Sequence, residues 1–377
     1  METVQFKIIY QEANPYGSLT AFLEDDGRTI YLYLQSEQDP EWKMKSVWIK
    51  NRICAPDKRN EEDFQSGLAP LLCKDEIEAY SDIEPIKEED VYFIWTEEGD
   101  GVALFIKDKL TAFIPPWSDV KGFHGYSINA LKESITAHPL GNSEDGAIHK
   151  KVQQSRDYWE FRSMQGSWKE IQSLRLNYLE SKLGNHSKYW SADGGKYPQL
   201  GIAQFEPKQY PGIVIYSTIG MSAQNMPSVE LYHKDYLDYA RIEIVIAIKK
   251  TNPGRSENWV PHFLGDIIKY PWMMCRWFGE GHTMSLTRRD PDAILNLTNV
   301  IFLSRLHAYI VNGESLEPPE LTGLVSENNA KVKFLFIQPL TDEETMILRQ
   351  DGAKEIFRLM EANGLGWIYD PERSELI

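Results

Sequence analysis

Residues 259–283, WVPHFLGDIIKYPWMMCRWFGEGHT, constrain the chain most. Phe263, Leu264, Ile267 and Ile268 recur at helical spacing, and Pro261 suits the first turn of a helix over about 261–270. An aromatic run follows, then a Gly279-Glu280-Gly281 turn carrying His282. The stretch contains no phosphate-binding loop, no metal-ligand spacing and no nucleophile motif. Its chemistry is packing, which points to a binding module before a catalyst.

The rest alternates between strands and helices. ARIEIVIAIK places Ile242, Ile244, Ile246 and Ile248 on one face of a strand. GIVIYSTIGMS reads as a buried strand entering a glycine turn, and LNLTNVIFLS and AKVKFLFIQPL are two more strands. A helix over about Ser155–Leu183 has a break point at Gly166. Thr341 and Glu344 form a capping box that opens a last helix, interrupted by Gly352 and stopped at Asn363-Gly364. In the first half, VQFKIIY, TIYLYLQ and KSVWIKNRI alternate as strands, with Asp26-Gly27 as a turn signal. VYFIWTEEGDGVALFIKDKLTAFI reads as a two-stranded hairpin turning at Gly99-Asp100-Gly101, and SINALKESITAH as a short helix. The fold class expected is α+β: two mixed domains, each a largely antiparallel sheet packed with helices. The polar stretch 139–150 separates an acidic domain over 1–145 from a second over 155–377.

Charge is uneven. The chain carries −16 in total; residues 1–150 hold 15 basic and 28 acidic side chains, and residues 57–100 hold 4 and 15. That field repels nucleic acid and anionic membranes and speeds association with a basic partner. Asp75, Glu76 and Glu78 are the candidates for such steering, against the alternative of a merely solvated surface. Three distant cysteines, Cys54, Cys73 and Cys275, suit a reducing compartment. No secretory leader and no run of about 20 apolar residues is visible, so a cytoplasmic location without membrane insertion is expected.

Each polar constellation has a structural alternative. His282 could contact a partner or act as a base; a turn histidine bonded to a nearby carbonyl is the stronger expectation. Cys275 lies in an apolar setting that raises a thiol pKa, against pairing with His282. His262 and Asp266 do not close a metal site. Arg288-Arg289-Asp290-Pro291-Asp292 reads as a charged turn that caps itself. Among the aromatics, Tyr270 and Trp272 are expected in the core, while Trp277 is left open between core and binding contact. No catalytic residue, metal or cofactor is expected.

The ordered set YPGIVIYSTIGMS, ARIEIVIAIK, residues 259–283, VKFLFIQPLTDEETMILRQDGAKEIFRLM and the closing LGWIYDPER resembles the Suppressor of fused domain over roughly residues 165–377. The resemblance implies a mixed α+β fold and a non-catalytic, protein-binding role. The family's animal member sequesters transcription factors, and bacterial members often stand beside toxins as immunity proteins. The animal member holds its ligand with a Tyr and an Asp just after the glycine turn. Here Ala223 stands where that acidic residue would be, so that ligand mode is not carried over. Three functions follow as expectations: an immunity or antitoxin-like protein occluding a protein partner such as a basic toxin domain, a regulator sequestering a transcription or stress factor, and an enzyme of unrecognised type. Trp277 and His282 join the acidic trio as candidate partner contacts.

Overall fold

The computed structural model describes residues 6–78, 85–141, 143, 145–194, 198–251 and 258–376. Val4 and Gln5 of the first expected strand, 79–84 of the acidic stretch and 142 and 144 of the expected boundary lie outside them. The chain divides into two units, Met1–Ser163 with Trp272–Arg276, and Met164–Pro271 with Trp277–Ile377. Both combine largely antiparallel sheets with helices, as the α+β expectation had it.

The first unit opens with a meander of β1 (Lys7–Ala13), β2 (Leu19–Asp25), β3 (Thr29–Ser36) and β4 (Lys45–Asn51). β2 is a strand beyond those expected: LTAFLED lies between turns at Tyr16-Gly17 and Asp26-Gly27, and only the second carries the Asp-Gly signal. After α1 (Glu61–Gln65) comes a second sheet, β5 (Val91–Trp95), β6 (Val102–Ile106), β7 (Lys109–Ile114), β8 (Tyr126–Ser127) and β9 (His138–Pro139), then α2 (Ala147–Ser163). The expected two-stranded hairpin is thus three strands. The extra turn is Lys107-Asp108, both with positive φ, a two-residue turn made without glycine or asparagine. The expected helix at SINALKESITAH does not form. Its backbone is claimed by distant partners: Trp48 N–H donates to Thr136 O at 3.2 Å and Leu131 N–H to Glu76 O at 2.9 Å. Ser134 Oγ accepts from Ala137 N–H at 3.0 Å, a local bond that competes with a helix.

The strap Trp272–Arg276 belongs to this unit. Trp272 is fully buried, its ring stacked 5.5 Å from Tyr16, and its carbonyl accepts from Ser18 Oγ at 2.9 Å. Asn14 holds the turn together: its Nδ2 donates to Gly99 O at 3.0 Å and its Oδ1 accepts from Ser18 N–H at 2.9 Å. Beside that turn lies Asp100, fully enclosed, with no hydrogen-bond partner on Oδ1 among the described residues. Burial raises its pKa to about 6, opposed by Lys45 and Lys151 and reinforced by Glu98. A carboxyl held above its unfolded value favours the folded state below about pH 4, and this contribution is lost as pH rises through about 6. Asp100→Asn removes that slope. Its urea midpoint relative to the parent is expected to rise between pH 4 and pH 7 by the equivalent of roughly 2 kcal/mol; parallel profiles would contradict the assignment.

In the second unit α3 (Ser167–Leu183) starts after Gly166, which separates it from α2. Seven strands follow one path: β10 (His186–Ser191), β11 (Gly201–Phe205), β12 (Ile213–Ile219), β13 (Ile242–Lys249), β18 (Lys333–Leu340), β15 (Asn299–Leu303) and β14 (Thr283–Ser285), with β19 (Ile368–Tyr369) beside β13. The pair β16 (Tyr309–Val311) and β17 (Glu314–Leu316) stands apart. The helices are α4 (Val229–Tyr232), α5 (Trp259–Ile267), α6 (Tyr270–Met273), whose Trp272 and Met273 already belong to the strap of the first unit, α7 (Asp342–Asp351) and α8 (Ala353–Ala362). β13 is antiparallel to β12 and parallel to β18, so it is central. Both of its faces are buried, and the alternation of Ile with Glu243, Val245 and Ala247 separates two interiors rather than core from solvent. Val245 and Ala247 share a core with Leu179 and Leu183 of α3 and Ile356 and Met360 of α8. The Thr341–Glu344 capping box forms in both directions, at 3.1 and 2.9 Å.

Candidate functional site

The glycine turn singled out in the sequence builds a ring ladder in the second unit. A Cβ on Gly279 would lie 2.3 Å from Trp277 Cζ3, so only glycine lets the indole lie over that backbone. His282 N–H donates to Gly279 O at 3.1 Å, and Gly281 N–H and His282 O bond Phe302 of β15 at 2.8 and 3.0 Å. His282 Nδ1 donates to Trp277 O at 3.2 Å, and its ring meets the indole edge-on at 4.4 Å. Burial lowers its pKa, so the ring is neutral at pH 7. This is the turn histidine of the sequence reading.

The ladder continues beyond what the sequence reading marked. His233, just after α4, meets Trp277 at 4.9 Å and stacks on Tyr239 at 4.2 Å. Lys333 Nζ, at the start of β18, sits 3.6 Å from the centre of the Tyr239 ring. Tyr232 flanks Trp277 at 5.8 Å and is 69% exposed. Leu231, Leu237 and Tyr239 on the same short segment are exposed too. Trp277 and His282 are half-buried. A cluster of exposed large apolar side chains within nine residues is unusual for a surface with no partner. Its signal in the sequence was VELYHKDYLDY: apolar and aromatic residues crowded between strands, in a stretch too polar for a core helix.

The remaining candidates fall elsewhere. Asp75 is exposed and ion-paired with Lys132, which holds its carboxyl below the usual range. Glu76 is buried, paired with Arg59, and accepts from Cys73 N–H at 2.8 Å. Glu78 is exposed, and its N–H donates to Asn129 O at 3.3 Å. All three lie in the first unit, whereas Trp277 and His282 lie in the second. Cys275 belongs to the strap; burial pushes its thiol up to about 12, the setting of an inert cysteine. In the charged turn Asp290 Oδ1 accepts from Asp292 N–H at 2.9 Å, a self-cap, while the two arginines bond outside it, Arg288 Nε donating to Asp266 at 3.0 Å and Arg289 to Asn296 Oδ1 at 2.9 Å. Tyr270 stacks half-buried on Phe278 at 5.5 Å, while Trp272 is core. Among the described residues no group of three or more His, Cys, Asp or Glu could hold a metal ion, and no helix is long and apolar enough to cross a membrane.

A buried polar junction lies behind the turn after β12. Glu243 of β13 accepts from Gly220 N–H at 2.9 Å, Ser222 N–H at 3.1 Å, Ser222 Oγ at 2.7 Å and Thr218 Oγ1 at 2.6 Å. Arg175 of α3 faces the same carboxylate at 3.3 Å and pairs with Glu327. Gly220, at φ +101°, makes the turn that aims these N–H groups inward. Ala223, where the resemblance placed an acidic ligand contact, is buried in the same turn.

Several known proteins resemble the chain. A putative SUFU homolog from Neisseria gonorrhoeae FA 1090 is 17% identical over 55% of this chain and 98% of that one, with a TM-score of 0.37. A chain of the Sufu–Fu complex is 14% identical over 55% and 92%, with a TM-score of 0.38. Drosophila Suppressor of Fused is 14% identical over 54% of this chain, which spans half of that protein, with a TM-score of 0.35. No curated protein matches. The family model of the Suppressor of fused protein (SUFU) matches residues 196–374, the span holding the glycine turn, β13, the ladder and the capping box. Residues 196–374 are a Suppressor of fused domain.

Proposed function

We propose that the chain is a non-catalytic module that binds a protein partner and acts by covering it, in the manner of an immunity or antitoxin-like protein. The observation that carries the reading is the ladder on Trp277: aromatic rings packed against one another beside a glycine turn, with Tyr232 and Tyr239 at its ends exposed to solvent. Rigid aromatics cost little entropy to order and dominate binding energy at interfaces. The inert Cys275 thiol and the carbonyl-bonded His282 offer no activated nucleophile. In the first unit, Asp75 and Glu78 keep their side chains in solvent, where they steer a basic partner, while Glu76 contributes to the field from within.

The test is co-expression with the product of the neighbouring gene, followed by calorimetry of the pair. Protection of the cells and a complex are expected. Tyr232→Ala is expected to weaken the complex by roughly tenfold or more, as for a central aromatic contact, and Gly279→Ala to do the same by displacing the indole. Reversing Asp75 and Glu78 to Lys slows association at low salt and leaves dissociation alone. A complex indifferent to Tyr232 and Gly279 would move the docking face elsewhere; turnover of a small molecule that vanishes in His282→Ala would end the non-catalytic reading.

A further inference from the structure

The two ends of the ladder differ. At one end the chain's own Lys333 ammonium covers the Tyr239 ring. At the other, Tyr232 is 69% exposed and tilted 35° to the indole of Trp277, and among the described residues no cation lies over either ring. An aromatic face attracts a cation through its quadrupole, and Lys333 shows such a contact built into this same ladder. The sequence of the segment itself leans acidic: residues 229–239 carry Glu230, Asp235 and Asp238 against Lys234, with Asp238 paired to Lys331 at 2.8 Å. Leu231 and Leu237, 41% and 54% exposed, provide apolar surface of the kind that a long cationic side chain covers with its methylene stem.

We propose that the open end of the ladder, Tyr232 with Trp277, receives an arginine side chain from a basic segment of the partner protein. The inference rests on the reading of this face as a protein-docking surface. Arginine fits better than lysine: its guanidinium is planar, stacks on rings and is weakly hydrated, whereas an ammonium surrenders more hydration on leaving water. Aspartate or glutamate would meet both a repelling ring face and the carboxylates of the segment. A purely aliphatic side chain would use Leu231 and Leu237 and gain nothing from the rings' electrostatics.

The experiment titrates the full-length protein with an acetylated, amidated tri-arginine peptide, following tryptophan indole N–H resonances. Tri-citrulline, which keeps the shape without the charge, is the matched control. Saturable binding is expected for tri-arginine, with tri-citrulline at least fivefold weaker. Tyr232→Phe keeps the affinity, and Tyr232→Leu, apolar but without a π face, weakens it by about two- to fivefold. Equal affinity for the two peptides, unchanged affinity in Tyr232→Leu, or no binding at millimolar peptide would each overturn the proposal. Tyr232 is a surface residue, so these variants test the ring and not the fold. If the partner complex still needs Tyr232 while tri-arginine fails, the docking face stands and the arginine assignment falls.

Discussion

Replacing Arg175 by methionine is expected to lower the stability of the second unit by about 3–5 kcal/mol, the cost of leaving a buried charge without its partner. Arg175 is fully buried, and so is Glu243. The guanidinium donates to Ser222 Oγ at 2.8 Å and to Ile171 O at 2.9 Å, and pairs with Glu243 and Glu327. Methionine fills part of the volume but strands Glu243, whose four remaining donors are neutral. Changing Arg175 and Glu243 together to methionine is expected to cost less than the single change, because the fully buried Glu243 charge is removed with its partner and only the less deeply buried Glu327 loses one. Denaturant unfolding followed by fluorescence checks both, with the second unit's transition compared across the three proteins. A double variant as unstable as Arg175→Met, or more so, would contradict the pairing.

Glu344→Ala is expected to have an effect of the same size, about 3–5 kcal/mol. Its fully buried carboxylate accepts from Arg373 at 2.6 and 2.7 Å, from Thr341 N–H at 2.9 Å and from Leu376 N–H at 3.0 Å. One side chain therefore caps α7 and anchors the chain's end. Thr341→Ala removes the cap from the other direction and leaves the ion pair, so it is expected to cost only about 1 kcal/mol. Thermal unfolding of the two variants side by side separates the cap from the charge. Equal losses would mean that the ion pair contributes nothing beyond capping.

The capping box was legible in the sequence because its chemistry is local: a hydroxyl and a carboxyl three residues apart. The breaks at Gly166 and Gly352 were legible for the same reason. What escaped was non-local or rested on rarer turn chemistry. Lys107-Asp108 adopts positive φ without the glycine or asparagine that marks such a turn most strongly, so the break between two strands is hidden in the sequence. SINALKESITAH has helical spacing, but its Thr136 carbonyl is taken by Trp48 N–H and its Leu131 N–H by the Glu76 carbonyl, both far upstream. The Suppressor of fused resemblance was carried by ordered motifs and located the second unit's strands. It did not show the ladder, since Tyr239, His233 and Trp277 meet only after the sheet brings two loops together. Ile242 to Ile248 marked a strand, but alternation between large and small apolar residues did not reveal that both faces were covered.

The strap at Trp272–Arg276 has a consequence for dissecting the gene. A cut at residue 163 does not yield two self-sufficient fragments, because five residues encoded far downstream complete the first unit. The upstream piece would lose the ring that stacks on Tyr16 and the carbonyl that satisfies Ser18. The downstream piece would carry a large indole with its packing partners deleted. Shuffling either half onto an unrelated protein therefore means transplanting a discontinuous epitope of the fold, and inheritance of the two halves as a single cistron is built into the way the chain is threaded.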